Sequence, residues 1–446
     1  MIAFTKKIYD FIKTNIIKNK VYLFITIFIF FLTLRDIIGV PLNKFVFIGI
    51  ATLLFIFCDE NGIVEFIAFI IPLSLGISYS FISFIAAFFL IFKRKGKFRF
   101  SLSVLFPVGI AYIELLNMFY PNSSMADYFR IINIFILFTL MFLDNHKSYN
   151  YKNILKLYLF GFFILSIFTL FFISKSTSIS EFFKSGITLG EDIVNSIEGN
   201  KVFAGNNSMG LYAVISISVS MLLFYAKAAN KYILIFMICL GFIMGFISTS
   251  RGFIFSTMLC FILFGVFSIK NIKSFLRTFL ITLFLLSIAF LLINSVLSNF
   301  YDTFIAKMTM EDFSNGRYAI FEYYNKILFS DIKIFLIGVG IQDYQIKCAT
   351  DASIHNAIQE ILIAWGIFGL ICIVGFFISL YKRAVMNIPK GKKSLIYLIP
   401  ALVYLFYVQF NQLFSVTSFA MVIVIAYCSI ALNSQENIEI KKKGIS

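Results

Sequence analysis

The chain has 446 residues, 60% of them apolar, with 60 Phe and a mean hydropathy of +0.93; this excludes a water-soluble globular enzyme and describes repeated apolar runs of membrane-spanning length. A net charge of +16 does not mark a nucleic-acid binder here, because the lysines stand in short clusters between apolar runs, as cytoplasmic loops do under the positive-inside rule. The six cysteines offer neither a disulfide framework nor a CxxC metal pair: Cys239, Cys260, Cys372 and Cys428 lie inside apolar runs, Cys58 at the end of one, and Cys348 alone in a loop.

A basic tail over 1–20 (Lys6, Lys7, Lys13, Lys18, Lys20) precedes the first apolar run at Val21, and no small-residue cleavage pattern follows, so that run reads as an uncleaved first span. Spans are expected near 21–39, 45–58, 64–77, 78–92, 100–119, 128–143, 154–173, 208–225, 232–248, 252–268, 277–296, 355–380, 394–411 and 415–432. Val64 to Phe92 is taken as two short or broken segments, because it contains Pro72 and Gly76 and must cross twice if the KRKGK run from Lys93 is to face the cytoplasm. With that choice most of the 38 Lys and Arg fall inside, including Lys382, Arg383, Lys390, Lys392, Lys393 and Lys441 to Lys443, and both termini are cytoplasmic. The expected fold is an all-α polytopic transmembrane bundle of about 12–14 spans. It comprises a cytoplasmic tail (1–20), transmembrane helices (21–296), an outward loop (297–354), further transmembrane helices (355–432) and a last cytoplasmic tail (433–446) that looks unstructured.

Two outward connections are long, 174–207 and 297–354, whereas the inward ones are short. At about sixty residues the second is too large to be a turn between helices and is the expected seat of the chemistry. Within it, FEYYNKILF (321–329) and IKIFLIGVG (332–340) have the aromatic and branched content of amphipathic helices at a membrane surface, and Cys348 should be reachable from outside unless local packing buries it.

Ionisable groups at a membrane mouth are costly and need a reason. The outward or buried ones are Arg35 with Asp36, Glu114, Arg130, Arg251, Arg317, His355 and Glu360. Lysine suffices for topology, whereas guanidinium groups make bidentate contacts to phosphate or carboxylate, so the tilt toward arginine outside points to an anionic ligand. Arg251, Arg317, Arg130 and Arg35 are the candidates to hold it. Each has a plainer alternative: Arg251, in FISTSRGFIF, can snorkel to headgroups, and Arg317, in SNGRYAIF, can pair with Glu311 or Asp312. His355, where the loop meets a helix, either caps that helix or serves as a base near its ordinary pKa of about 6.5. His146 reads as a solvated loop residue, and Glu360, five residues from His355 and nearly opposite on a helix, as a partner inside the bundle. No DxD pair stands in the loops, His355 lacks a second histidine at helical spacing, and neither GxxxxGK nor GxSxG occurs; no metal site, ATP-driven pump or common serine hydrolase is expected.

Four motifs stand in a characteristic order: GNNSMGLYAV (205–214) opening a span, STSRG (248–252) between spans, GRYAIF (316–321) in the large loop, and GVG, HN and GIFG (338–340, 355–356, 366–369). Together they resemble the bacterial O-antigen ligase and O-antigen polymerase superfamily of polytopic glycosyltransferases over roughly residues 200–430. The chain departs from the pattern at Phe321, where relatives commonly carry tryptophan.

The resemblance implies an enzyme of the bacterial inner membrane, with its active site on the periplasmic face and needing no cofactor. It would transfer a glycan from an undecaprenyl-pyrophosphate-linked donor to a glycan acceptor hydroxyl, with inversion. His355 would be the base, Arg317 and Arg251 would stabilise the leaving pyrophosphate, and Asn356 and Asn207 would orient groups by hydrogen bonds. Its partners would be the lipid-linked donor, the acceptor, membrane lipid and a chain-length regulator protein, with no nucleic acid. A polymerase, using another lipid-linked repeat as acceptor, is the favoured expectation; a ligase would use lipid A-core instead. From another class, a polysaccharide transporter would carry its ions at the bilayer midplane between short loops, which the 297–354 loop counts against.

Overall fold

A computed structural model of the chain describes residues 20–93, 104–117, 136–137, 140–141, 149–176, 201–268, 317–341, 344–350, 352–385, 392–411 and 417–442. It is an all-helical bundle, with no strand among the described residues. In chain order the helices are α1 (Lys20–Thr33, running into a π turn Leu34–Ile38), α2 (Lys44–Phe57), α3 (Glu60–Ile70), α4 (Tyr79–Lys93), α5 (Leu105–Asn117) and α6 (Tyr151–Ser176). These are followed by α7 (Asn206–Tyr225), α8 (Lys231–Ile247), α9 (Arg251–Ser268), α10 (Arg317–Ser330), α11 (Ile332–Ile337), α12 (Tyr344–Lys347), α13 (Ala357–Val385), α14 (Ile399–Tyr407) and α15 (Thr417–Lys442).

Side-chain caps fix several starts: Asn43 accepts from Phe45 N at 3.1 Å, Asp59 from Gly62 N at 2.8 Å, and Asn230 from Tyr232 N at 2.9 Å. Among the described residues four helices are long and apolar enough to cross a membrane: Lys20–Ile38, Tyr151–Lys175, Asn206–Tyr225 and Ala357–Ser379. This is a membrane protein. Its centre is α7, whose apolar window is 83% buried against 33% for α1, so α7 is enclosed by protein while α1 turns much of its surface outward. The helices α6, α8, α9 and α14 all pack on α7.

Several expected spans are shorter or more broken than a run of apolar residues suggests. The 64–92 stretch is interrupted where Pro72 and Gly76 stand: α3 ends at Ile70, a 3-10 turn covers Ser74–Gly76, and Ser78 sits at φ 54° before α4. The 394–411 stretch is a 3-10 segment (Lys392–Leu398), the nine-residue α14 with Pro400 in its first turn, and another 3-10 turn (Val408–Phe410). At the other end α15 continues to Lys442, so the tail expected to be unstructured is helical as far as that residue. The 277–296 span, the 177–200 and 297–316 parts of the two outward loops, His146 and most of 128–143 lie outside the described residues.

Beyond Arg317 the large loop folds on a core of its own, in which Tyr324, Leu328, Val339, Tyr344, Cys348, Ile354 and Ile363 pack together. Cys348 is therefore not an accessible probe: it is 5% exposed, and burial, opposed only in part by Lys347, pushes its thiol up to about 11. The GVG segment fastens this core to the bundle. Val339 N and Gly340 N donate to the carbonyls of Ile363 and Ala364 at 2.9 and 2.8 Å, acceptors that an unbroken α13 would use itself. The helix breaks there, at Gly366 (φ 65°, ψ −165°). Gly338 (φ 70°) and Gly366 lie backbone to backbone across this junction: a Cβ on the first would overlap the Ala364 carbonyl, and one on the second the Leu336–Ile337 peptide. Glu114 of α5 closes the joint, accepting from Ile341 N at 2.8 Å and from the indole N–H of buried Trp365, while Asn117 Nδ2 donates to Ile337 O at 3.0 Å.

Candidate functional site

The site is organised around the Tyr407 hydroxyl, at the C-terminal end of α14. Tyr407 is fully buried, donates to the Asn207 carbonyl at 2.7 Å, and stands 3.1 Å from Ser250 Oγ. It thereby ties the start of α7 to the hairpin between α8 and α9. Gly210 makes the approach possible, because a Cβ there would meet Tyr407 Oη at 2.7 Å and Ser250 Cβ at 2.9 Å. In the hairpin, Ser248 Oγ accepts from Ser250 N at 3.3 Å and Thr249 is held at φ 48°. That conformation costs a β-branched residue about 1–3 kcal/mol, strain sustained by the packing around it. Arg251 follows as the first residue of α9.

Arg317 is the first residue of α10, and its Nη1 donates to the Phe410 carbonyl at 3.0 Å, three residues beyond Tyr407. Burial first, and then the nearby charge of Arg251, make the Arg317 cation less favourable than in water. His355 is within the field of Arg317. Desolvation and then that guanidinium lower its pKa to about 4, well below the ordinary 6.5 expected from sequence, so the imidazole is neutral at neutral pH.

The segment leading to His355 is braced along its length. Tyr324 Oη donates to Ala352 O at 2.7 Å, Tyr323 Oη to Cys348 O at 2.8 Å, Gln345 Nε2 to Ser353 Oγ at 2.7 Å, and Ile354 N to Tyr344 Oη at 3.0 Å. Gln359, one turn into α13, donates to Phe321 O at 2.7 Å and Asn325 Oδ1 at 3.1 Å, fixing α10 to α13. His355 thus sits on a rigid ledge, with its Nδ1 buried and lacking a hydrogen-bond partner.

Three residues far apart in sequence, Arg251, Arg317 and His355, therefore come together, each at or just before a helix N-terminus, with the start of α7 beside them. Helix N-termini present unpaired N–H groups and the positive end of the dipole, so α7, α9, α10 and α13 add to the arginines in favouring an anion. The salt bridges considered for Arg317 involve Glu311 and Asp312, which lie outside the described residues, as does Arg130.

Other candidates take different places. Asn356 is the N-cap of α13: its Oδ1 accepts from Gln359 N at 3.0 Å and its Nδ2 reaches Gln409 Oε1 at 3.4 Å, so the side chain expected to orient substrate is engaged in holding the helix start. Asn207 contributes its carbonyl to Tyr407. Arg35, expected to bind substrate, is 8% exposed and engaged inside the bundle. It meets Asp36 at 2.5 and 3.0 Å and the Gly76 carbonyl at 2.7 Å, and lies over the Phe47 ring at 4.5 Å, while Asp36 also accepts from Val202 N at 3.0 Å. Its geometry is that of a structural ion pair in a π turn. Glu360 is buried near Tyr404, in keeping with a bundle partner. Among the described residues no cluster of three or more His, Cys, Asp or Glu has the arrangement to hold a metal.

Tyr407 and Asn411 were not singled out by the sequence, although a signal existed: Gln409, Asn411 and Gln412 interrupt an apolar run with amides, which are costly in a membrane unless they have a structural or binding task. No family model matches the chain, and no curated protein matches it. The functional reading therefore rests on the residues themselves.

Proposed function

We propose that this protein is a glycosyltransferase of the bacterial inner membrane, an O-antigen polymerase acting on the periplasmic face. In this reading the oxygen of an acceptor sugar hydroxyl attacks the anomeric carbon of a glycan linked to undecaprenyl pyrophosphate. The anomeric C–O bond breaks with inversion, the acceptor proton passes to His355, and undecaprenyl pyrophosphate leaves with the bonding electrons. The observation that supports this best is the gathering of Arg251 and Arg317, with Arg251 close enough to disfavour the Arg317 charge, beside a neutral histidine. A second guanidinium beside the desolvated Arg317 favours an anion at this place, and a pyrophosphate leaving group presents paired oxygens that suit both.

The bound anion would also tune the base. A negative charge at Arg317 offsets the second cause of the low His355 pKa, so the imidazole becomes a better proton acceptor when donor is in place. The resemblance of the motifs in 200–430 to the O-antigen superfamily points the same way. The acceptor decides between polymerase and ligase, and the lipopolysaccharide ladder of a deletion strain distinguishes them. A single repeat on core means that the polymerase is lost. Bare core with lipid-linked polymer means that a ligase is lost, and an unchanged ladder contradicts both.

A further inference from the structure

Two buried amide oxygens, one beside the Tyr407 hydroxyl and one at the start of α7, play no part in the chemistry described so far. Asn411 is 2% exposed, and its side chain lies beside the Tyr407 hydroxyl. Its Oδ1 is buried without a hydrogen-bond partner. The Tyr407 hydroxyl donates to the Asn207 carbonyl, and the preceding residue, Asn206, likewise has a buried Oδ1 with no partner. Buried polar atoms in folded proteins are satisfied in the great majority of cases, and leaving a carbonyl oxygen dry and unpaired is costly. One such oxygen on Asn411, next in chain to the Phe410 carbonyl that Arg317 holds, another on Asn206 at the start of α7, and a histidine Nδ1 that also lacks a partner suggest a site whose hydrogen bonds are completed by a ligand.

The chemistry of the unpaired atoms names the ligand groups. An arginine pair seeks an anion, but an amide oxygen can only accept, and it repels phosphate oxygens. What suits Asn206 and Asn411 is therefore a donor: a hydroxyl or an amide N–H. A glycan joined to pyrophosphate carries both kinds of group within a few bonds of each other. We infer that Asn206 and Asn411 are the sugar-recognising side of the site, accepting hydrogen bonds from hydroxyl or acetamido N–H groups of the glycan whose pyrophosphate lies against Arg251 and Arg317. This rests on the glycosyltransferase reading and deepens it by dividing the site into an anion half and a sugar half.

The test compares two ligands on the purified full-length protein in lipid nanodiscs: undecaprenyl pyrophosphate, and the undecaprenyl-pyrophosphate-linked repeat unit that accumulates in cells lacking this protein. Wild type should bind the repeat unit more tightly than the bare carrier. Asn411→Leu should lose about tenfold of that preference, roughly the contribution of one hydrogen bond to a buried group, with binding of the bare carrier unchanged. Asn206→Ala, at the start of a helix and only partly buried, should do the same and carries the test if Asn411→Leu does not accumulate. A purely structural role would weaken both ligands alike, and that result, or an unchanged preference in both variants, overturns the assignment while leaving the transferase reading in place. If no such lipid accumulates and wild type binds neither ligand, the transferase reading fails and this inference fails with it.

Discussion

Arg35 and Arg317 are both desolvated arginines of one helical bundle, and their surroundings could hardly differ more. Around Arg35 every demand is met from within: a carboxylate on the next residue, a backbone carbonyl and an aromatic face, with the carboxylate in turn held by Val202 N. Around Arg317 the stronger of the charge effects is that of another arginine, and a neutral histidine and the unpaired amide oxygen of Asn411 lie close by. A closed pair of the first kind gives the fold a fixed joint. An open cluster of the second kind is held together by the scaffold in spite of its own electrostatics, which is the mark of a binding or catalytic site rather than of a fold contact.

The contrast sharpens most at His355. His355→Ala should reduce polymer formation by about 100- to 10,000-fold, the usual contribution of a positioned base, with the protein inserting and accumulating as wild type. Turnover of purified protein and its abundance in membranes measure the two halves of that statement. Arg317→Lys and Arg251→Lys should each lose roughly a hundred- to thousandfold in rate despite keeping the charge, because an ammonium cannot hold two pyrophosphate oxygens at once. A lysine variant within about twofold of wild type would place that arginine with Arg35 among the fold contacts. Arg35→Leu should do the opposite. Leaving Asp36 buried and uncompensated should cost about 3–5 kcal/mol of stability, seen as a lower melting temperature, while turnover per folded molecule is unchanged.

The pH dependence makes the finest distinction. With His355 lowered to about 4, kcat/KM should keep its full value from neutral pH downward and fall only as pH drops through about 4. In kcat, which reports the donor-bound enzyme, the acid limb should lie higher, because bound pyrophosphate offsets the Arg317 charge. Stability shifts with the same sign. The folded state prefers the neutral imidazole, so its contribution is complete above about 6.5 and lost as pH falls toward 4. A kcat/KM limb at 6.5 would mean that the imidazole is solvated and not on the ledge described.

Much of this was legible in the sequence because it was periodic or chemically exceptional. The apolar runs announced a helical membrane bundle, Pro72 and Gly76 marked the break between α3 and α4, and one histidine at a loop-to-helix junction stood out. What stayed hidden depends on which side chains meet. Asp36 beside Arg35 was visible, but not that the carboxylate turns inward to close the pair, nor that Asn356 is consumed as a helix cap. The GVG and GIFG motifs were visible as separate glycine clusters; only their backbone contact at Gly338 and Gly366 explains why both need glycine. Cys348 looked exposed because its neighbours are polar, yet the loop supplies its own small core from Tyr324, Tyr344 and Ile354, residues spread along thirty positions of chain and so beyond the reach of any local pattern.

The most direct test of the central claim is a transfer assay with purified protein and the undecaprenyl-pyrophosphate-linked repeat unit, run with wild type, His355→Ala and Arg35→Leu side by side and normalised to folded protein. The account predicts polymer from wild type, polymer at the same rate per folded molecule from Arg35→Leu, and almost none from His355→Ala. Polymer from His355→Ala at the wild-type rate, or no transfer by the wild-type protein, would contradict it.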